Sequence, residues 1–242
     1  MVMGRKPVIE ALHDDSLEFD KILLSGRARG PEIETIKGMA ASRRITCELV
    51  DETKVTAVAR SAKHHQGVVA DIVAPAMAHL SDFCEQRRRG KDWACSLLVL
   101  DHLHNPANVG MILRSATAAG IDGVVVPHKG TADIGPLAIK ASAGIAFRST
   151  ILRTESTAEA LDILGEHRFE LLGLDGSGAS LFGAELNERS AYVIGNETTG
   201  LSPEASSAVT RMISIPMHND VESVNAAVAA AIVGFEVARR RD

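Results

Sequence analysis

The 242-residue chain reads as an α/β protein, with a small α/β unit preceding a larger domain built on a parallel sheet. Three observations predict this. Short apolar runs alternate with helical patterns along most of the chain. In the second half the runs are apolar at consecutive positions, as strands covered on both faces are. No apolar run approaches the ~20 residues of a membrane-spanning helix.

Taken in order, "KPVIEALHD" is a helix and "FDKILLS" a strand. "PEIETIKGMAASRR" is a helix with Pro31 in its first turn, where its missing N–H costs nothing. "ITCELVD", "ETKVTAVARSA" and "GVVADIV" follow as strand, helix and strand, closing a three-stranded unit over residues 1–75. The pattern then loosens through "AMAHLSDFCEQRRRGKDW", a short helix at most, so 76–94 is assigned as a linker. The second domain, 95–242, has strands expected at 97–101, 123–127, 149–152, 170–174, 191–195 and 211–216. Helices are expected at 107–119, 156–167, 203–210 and 222–240. In such sheets ligands sit beyond the C-terminal strand ends.

Composition removes several function classes. A net charge of −5 does not suit a protein that coats nucleic acid. Residues 1–93 nevertheless carry 15 Lys/Arg against 14 Asp/Glu, and the rest 11 against 17. The basic stretches "RSAKHH" and "QRRRGK" of the first part are either polyanion-steering patches or solvated surface. Cys47, Cys84 and Cys95 form no C-x-x-C pair, and an odd count suits reduced thiols. His102 and His104 lack acidic or thiol partners at ligand spacing, so no metal site is expected. The N-terminus turns acidic before a signal-peptide core develops, and a cytoplasmic protein is expected.

Three strand ends hold more polar residues and glycines than turns require. In "LDHLHNPANVGMILRSATAAG", Asn108 and Gly110 stand where a helix begins, and Arg114 follows one turn later. Two readings stand side by side here. Asn108 is a cap and Arg114 a solvated side chain, or the arginine fork meets a phosphate or developing negative charge. In "YVIGNETTGLSPEA", Ser202 and Pro203 make a good helix start. Glu197, an acid right after a buried strand, is left without a structural reason. In "SIPMHNDVESVNAAVAAAIVGFEVARRR", Asn219 suits a left-handed backbone, and Asp220 or Glu222 the positive helix end. Ser223 and Asn225 remain as surplus hydrogen-bonding groups near a helix start, where polar ligands bind. There is no phosphate loop of the G-x-x-x-x-G-K type, no nucleophile elbow, and "LDGSGASLFG" lacks dinucleotide-binding spacing.

In these three stretches the sequence resembles the SpoU/TrmH family of RNA ribose 2′-O-methyltransferases, in the SPOUT class. Asn108-x-Gly110-x-x-x-Arg114 matches its first motif and Gly195-x-Glu197 with Gly200-Leu-Ser its second. Ile215-Pro-Met217-x-Asn219-x-x-x-Ser223-Val-Asn225 matches its third. Asn219 stands at the usual Gly, Val224 at the usual Leu, and Ala227 at a usual Ser. The first domain, ending in "HHQGVVADI", is similar to the RNA-binding domain of the ribosomal-RNA branch.

The resemblance implies a C-terminal domain tied in a trefoil knot, a homodimer formed through it, S-adenosylmethionine as cofactor and structured RNA as substrate. It implies that Gly195, Ile215, Met217, Val224 and Asn225 hold the cofactor. Asn108, Glu197, Ser223 and Asn225 then orient the acceptor nucleotide and Arg114. The two-domain layout favours a guanosine of 23S ribosomal RNA over transfer RNA. An RNA-binding assembly factor without activity and a nucleotide-dependent oxidoreductase are the alternatives. With 3% aromatic residues, stacking along an extended single strand is disfavoured against one exposed nucleotide on a folded RNA.

Overall fold

The computed structural model describes residues 1–13, 17–59, 64–73, 77–89 and 93–241. The chain opens with β1 (Val2–Met3), α1 (Arg5–Leu12), β2 (Glu18–Ser25), α2 (Pro31–Ser42), β3 (Thr46–Val50), α3 (Glu52–Ala59) and β4 (Val68–Val73). These strands form one sheet in the order β1-β4-β2-β3. β2 and β3 run parallel, and β4 runs against both β2 and β1. Three of the strands match the apolar runs; β1, with two residues, is too short to show a pattern. α1 and α2 bury Val8, Leu12, Ile33 and Ile36 in one cluster. α3 buries Val55 in another, with Val69.

The second domain comprises β5 (Met77–His79), α4 (Leu80–Arg88), β6 (Cys95–Leu100), α5 (Pro106–Ala118), β7 (Gly123–Pro127), α6 (Pro136–Ala141) and β8 (Ile151–Thr154). It continues with α7 (Thr157–Glu166), β9 (Glu170–Ser180), β10 (Arg189–Ile194), α8 (Pro203–Ala208), β11 (Arg211–Ser214) and α9 (Ala226–Arg241). Its seven strands lie in the order β11-β9-β10-β6-β7-β8-β5, and every pair is parallel. β6 and β7 are buried at every position, which explains their unbroken apolar runs. Leu98, Leu100, Ile112, Val126 and Val233 form the core beneath α5 and α9. Leu80, Cys84, Val99, Leu161 and Ala205 form the core on the opposite face, beneath α4, α7 and α8. This arrangement is consistent with the knotted path that the resemblance implies.

Two expectations need correction. The stretch assigned as linker contains β5 and α4, which add an edge strand and a helix to the second domain. β5 is exposed at all three residues, so no alternation announced it. The last helix begins at Ala226, not 222: Asn219 and Asp220 are both left-handed (φ 59° and 58°), residues 221–225 are irregular, and the Asn225 side chain caps the helix by accepting from the Ala227 N–H. Of the two basic stretches, only His64, His65 and Gln86–Arg89 lie within the described residues. Arg87 pairs with Asp122 at 3.1 Å and Arg88 with Glu85 at 3.6 Å, so both serve the local surface.

The two domains share a core. Ile139 of α6 and Phe147 of a short 3₁₀ helix (Ile145–Arg148) join the cluster under α1 and α2. α6 in turn packs on α5 so closely that a Cβ at Gly110 would lie 2.1 Å from the Ala138 carbonyl oxygen. Gly110 therefore has a packing role: only glycine lets these backbones approach.

Near the end of α9 the buried Glu236 accepts from Arg239 (2.8 Å to each oxygen) and Arg240 (2.7 Å). Arg240 also donates to the carbonyls of Leu181 and Ala184, tying the loop after β9 to α9. The Arg239 hydrogen bond, with Arg240 and against the cost of desolvation, holds the Glu236 carboxyl down at about 2. A carboxyl with a lowered folded-state value stabilises the fold above its ordinary range and ceases to as pH falls through the folded value. Because Arg239 is largely exposed, we expect Glu236→Gln to cost about 1–2 kcal/mol at pH 7. In urea unfolding the gap to wild type should close as pH falls from about 4.5 toward 2; a constant gap would remove the charge as its cause.

Candidate active site

β6 has β10 on one side and β7 on the other, so the chain's strand order reverses between β10 and β6. Loops leave the C-terminal ends of these strands in opposite directions and open a crevice there. The loops after β6, β10 and β11, the three picked out by their polar excess, meet at this edge.

A cleft of about 220 Å³ lies here. Its walls are Leu174–Gly176 of β9, Ile194–Glu197 and Gly200 after β10, and Ile215, Met217 and Glu222–Val224 after β11; Ala226 and Ala229 of α9 form its remaining side. Three carboxylates line it, those of Asp175, Glu197 and Glu222, and no lysine or arginine does. Asp175 accepts from the Ser177 hydroxyl at 2.6 Å and backbone N–H at 2.9 Å, and these bonds hold its carboxyl below the usual range. It is therefore charged at neutral pH. The Ser223 hydroxyl has no hydrogen-bond partner among the described residues and is available to a ligand.

Behind the cleft the three loops are tied together. Asn225 donates through Nδ2 to Asn108 Oδ1 at 3.1 Å, and Asn108 Nδ2 donates to Glu197 Oε1. Asn225 Oδ1 accepts from the Ala227 N–H at 2.9 Å, so one side chain both caps α9 and orients Asn108. Asn108 itself is 3% exposed and is not the helix cap; Asn105 is, accepting from the Ala107 N–H. Two further bonds fasten the loop after β10. Asp101 Oδ2 accepts from the Ser202 N–H at 2.6 Å, and Asn196 Nδ2 donates to the His102 carbonyl at 3.1 Å. The loop's own bridge joins Asn196 and Gly200 by paired 2.9 Å bonds.

The structure thus brings together Asn108, Gly195, Glu197, Ile215, Met217, Ser223, Val224 and Asn225. It does not bring Arg114 to this cleft. Arg114 is exposed on α5 and has no hydrogen-bond or ionic partner among the described residues. The reason is helical geometry: six residues at 100° each leave Asn108 and Arg114 about 120° apart around the axis. Leu174, Asp175 and Gly176 are wall residues that the sequence did not reveal. Gly176 and Gly178 lie within β9 and match no dinucleotide-binding spacing, so nothing local marks this stretch as a wall. A larger groove of about 420 Å³ lies between α1 and α6, lined by Glu10, His13, Lys140 and Phe147 among others, and holds none of the motif residues. Among the described residues no group of three or more His, Cys, Asp or Glu side chains could hold a metal, and no helix is long and apolar enough to cross a membrane.

Comparison with known proteins agrees with this geometry. Residues 96–235 match the SpoU rRNA Methylase family. Residues 1–78 match the RNA 2′-O ribose methyltransferase substrate binding domain. A Staphylococcus aureus (strain COL) protein named for the TrmH family of tRNA/rRNA methyltransferases is 32% identical over 242 residues, covering 100% of this chain and 96% of the relative. Among solved structures, the SpoU methyltransferase AviRb of Streptomyces viridochromogenes, in complex with AdoMet, superposes with a TM-score of 0.72 at 26% identity. That match covers 99% of this chain and 89% of AviRb. A TrmH-family structure from Porphyromonas gingivalis gives 0.69 at 26% identity, over 99% and 89% of the two chains. With both domains matched along their length and the three motif loops converging on one cleft, the chain belongs to the SpoU/TrmH family of RNA 2′-O-methyltransferases.

Proposed function

We propose that this enzyme methylates a ribose 2′-hydroxyl in structured ribosomal RNA, a guanosine of the large subunit, with S-adenosylmethionine as donor. The observation that carries the choice of donor is the cleft's charge. Three carboxylates and no cation suit a sulfonium, and they repel a pyrophosphate, which argues against a nicotinamide dinucleotide. The apolar Leu174, Ile194, Ile215 and Val224 suit an adenosyl group, and Gly195 lets the loop after β10 fold back on Gly200 to form the wall beside them.

When bound, S-adenosylmethionine supplies an electrophilic methyl group. The acceptor hydroxyl must be aligned with it and must lose its proton. Asn108 and Asn225 fix the position of the Glu197 carboxylate at the cleft mouth, and Ser223 offers a free hydroxyl beside it. In this reading these groups orient the ribose. Arg114 acts in this reading by its charge and its planar fork of donors, on the developing 2′-oxyanion or the adjacent phosphate.

We place Arg114 at the site through a homodimer. Met111 (41% exposed) is three residues from Arg114 on the same side of α5. Val228 and Phe235 (48% and 54%) stand two turns apart on the neighbouring α9, on the same face of the sheet. An outward apolar stripe of this kind fits a second copy of the chain, and Arg114 lies at its margin.

Calorimetry with S-adenosylmethionine and, separately, NAD tests the donor. Radiolabelled transfer into ribosomal and transfer RNA, taken from cells lacking the gene, tests the acceptor. We expect binding of the former ligand alone and label in 23S RNA. Label in transfer RNA only would move the substrate, and RNA binding without transfer would point to an assembly factor.

A further inference from the structure

We infer that His102 and His104 form the clamp for the base of the acceptor nucleotide, an inference that rests on the RNA reaction proposed above. Both imidazoles are exposed, and neither ring has a hydrogen-bond or ionic partner among the described residues. Their ring centres lie 6.2 Å apart with planes tilted by 45°. They stand in the loop between β6 and α5, four to six residues before Asn108 and directly after the buried Asp101.

His102 holds a backbone conformation uncommon outside glycine, though His is among the residues that tolerate it best. Its φ is 55°, in the left-handed region. The surrounding structure enforces it: the His102 carbonyl accepts from Asn196, a wall residue of the cleft, and its ring packs on Gly130. A Cβ at Gly130 would sit 2.5 Å from the His102 ring. A glycine at 102 would satisfy the backbone without strain. One side of the His102 ring packs on Gly130, and its exposed side and the exposed His104 ring are open to contacts from outside the chain.

Their location says which. A nucleotide whose ribose faces Glu197 and Ser223 must place its base beside the cleft. The cleft itself is committed to apolar and carboxylate walls. The His102 backbone is one hydrogen bond from the wall residue Asn196, and from this loop His102 and His104 offer flat, polar-edged rings. RNA-modifying sites hold an unstacked base by stacking on such rings and bonding to its edge.

The test compares His102→Gly, His104→Ala, the double variant and His104→Phe with wild type. The measurements are steady-state transfer, RNA binding by fluorescence anisotropy, S-adenosylmethionine calorimetry and thermal melting. We expect each single variant to raise the RNA KM and Kd by about tenfold, the order of one lost base stack. Cofactor affinity should be unchanged, and the melting temperature of His102→Gly equal or higher. His104→Phe should retain RNA affinity. A double variant with wild-type RNA affinity overturns the inference, as does a loss that only tracks a fall in melting temperature. If wild type transfers no methyl group, the reaction proposed above fails instead, and anisotropy still decides whether the clamp holds RNA.

Discussion

Gly195→Ala should weaken S-adenosylmethionine binding by about 100-fold, roughly 3 kcal/mol, with the domain still folded. The last strand residue before the loop is Ile194, and the loop turns back at once over Gly195. A Cβ there would lie 2.5 Å from both the carbonyl carbon and oxygen of Gly200, and 2.7 Å from the Leu201 nitrogen. These are backbone atoms with little room to yield. Gly200 is held by its paired bonds to Asn196, and Asn196 also accepts from the N–H groups of Thr198 and Thr199. Ser202, bound to Asp101, holds the far end. The added methyl must push this loop outward as a unit, and Glu197 moves with it, away from Asn108. One cleft wall and the ribose-orienting carboxylate are lost together. Gly183→Ala is the control, because its Cβ would meet nothing within 4 Å. Calorimetry on both variants decides: cofactor affinity within threefold of wild type for Gly195→Ala would mean that this loop does not shape the binding site.

The same loop shows what was legible in the sequence. A glycine and an acid after a buried strand have no use in a plain turn, and here they are a close approach and a tethered carboxylate. Chain order and parallel strands were equally plain, because strands buried on both faces leave unbroken apolar runs. Other features left no local trace. β5 is exposed throughout and is defined only by its pairing with β8. The start of α9 is set by the Asn225 cap, whereas Val221 and Val224 continue the helical spacing ahead of it. Asn225 is both the cap and the tether of Asn108, its two ends doing different work. Asp101 in sequence looks like the end of a strand. Its role in holding Ser202, 101 residues away, belongs to the fold and to no motif.

Arg114→Ala should reduce kcat by at least about 100-fold and leave S-adenosylmethionine affinity within about twofold, since a positioned charge acts on the developing oxyanion and not on the donor. A larger effect distinguishes where it acts. Within one chain Arg114 is exposed, without a hydrogen-bond or ionic partner among the described residues, and absent from the cleft walls, on the side of α5 that also presents Met111. The catalytic role proposed for Arg114 and its place outside its own cleft are reconciled if it serves the site of the partner subunit. In that assembly each site takes its cleft from one chain and its arginine from the other. Arg114→Ala and Glu197→Ala are then each inactive alone. In a mixed dimer the arginine variant's intact cleft receives the intact arginine of the glutamate variant. One competent site is rebuilt and the second carries both defects. Random mixing by unfolding and refolding makes about half of the dimers mixed, each with one good site of two, so about a quarter of wild-type activity should return. If Arg114 acts within its own chain, every site in the mixture keeps one defect and nothing returns. Phe235→Asp, on the apolar stripe of α9, should convert the protein to monomers with intact secondary structure and remove activity, because a desolvated charge opposes burial of that face. Activity retained by a monomeric Phe235→Asp protein, together with no recovery on mixing, would return Arg114 to its own chain and require it to reach the cleft by a movement of α5.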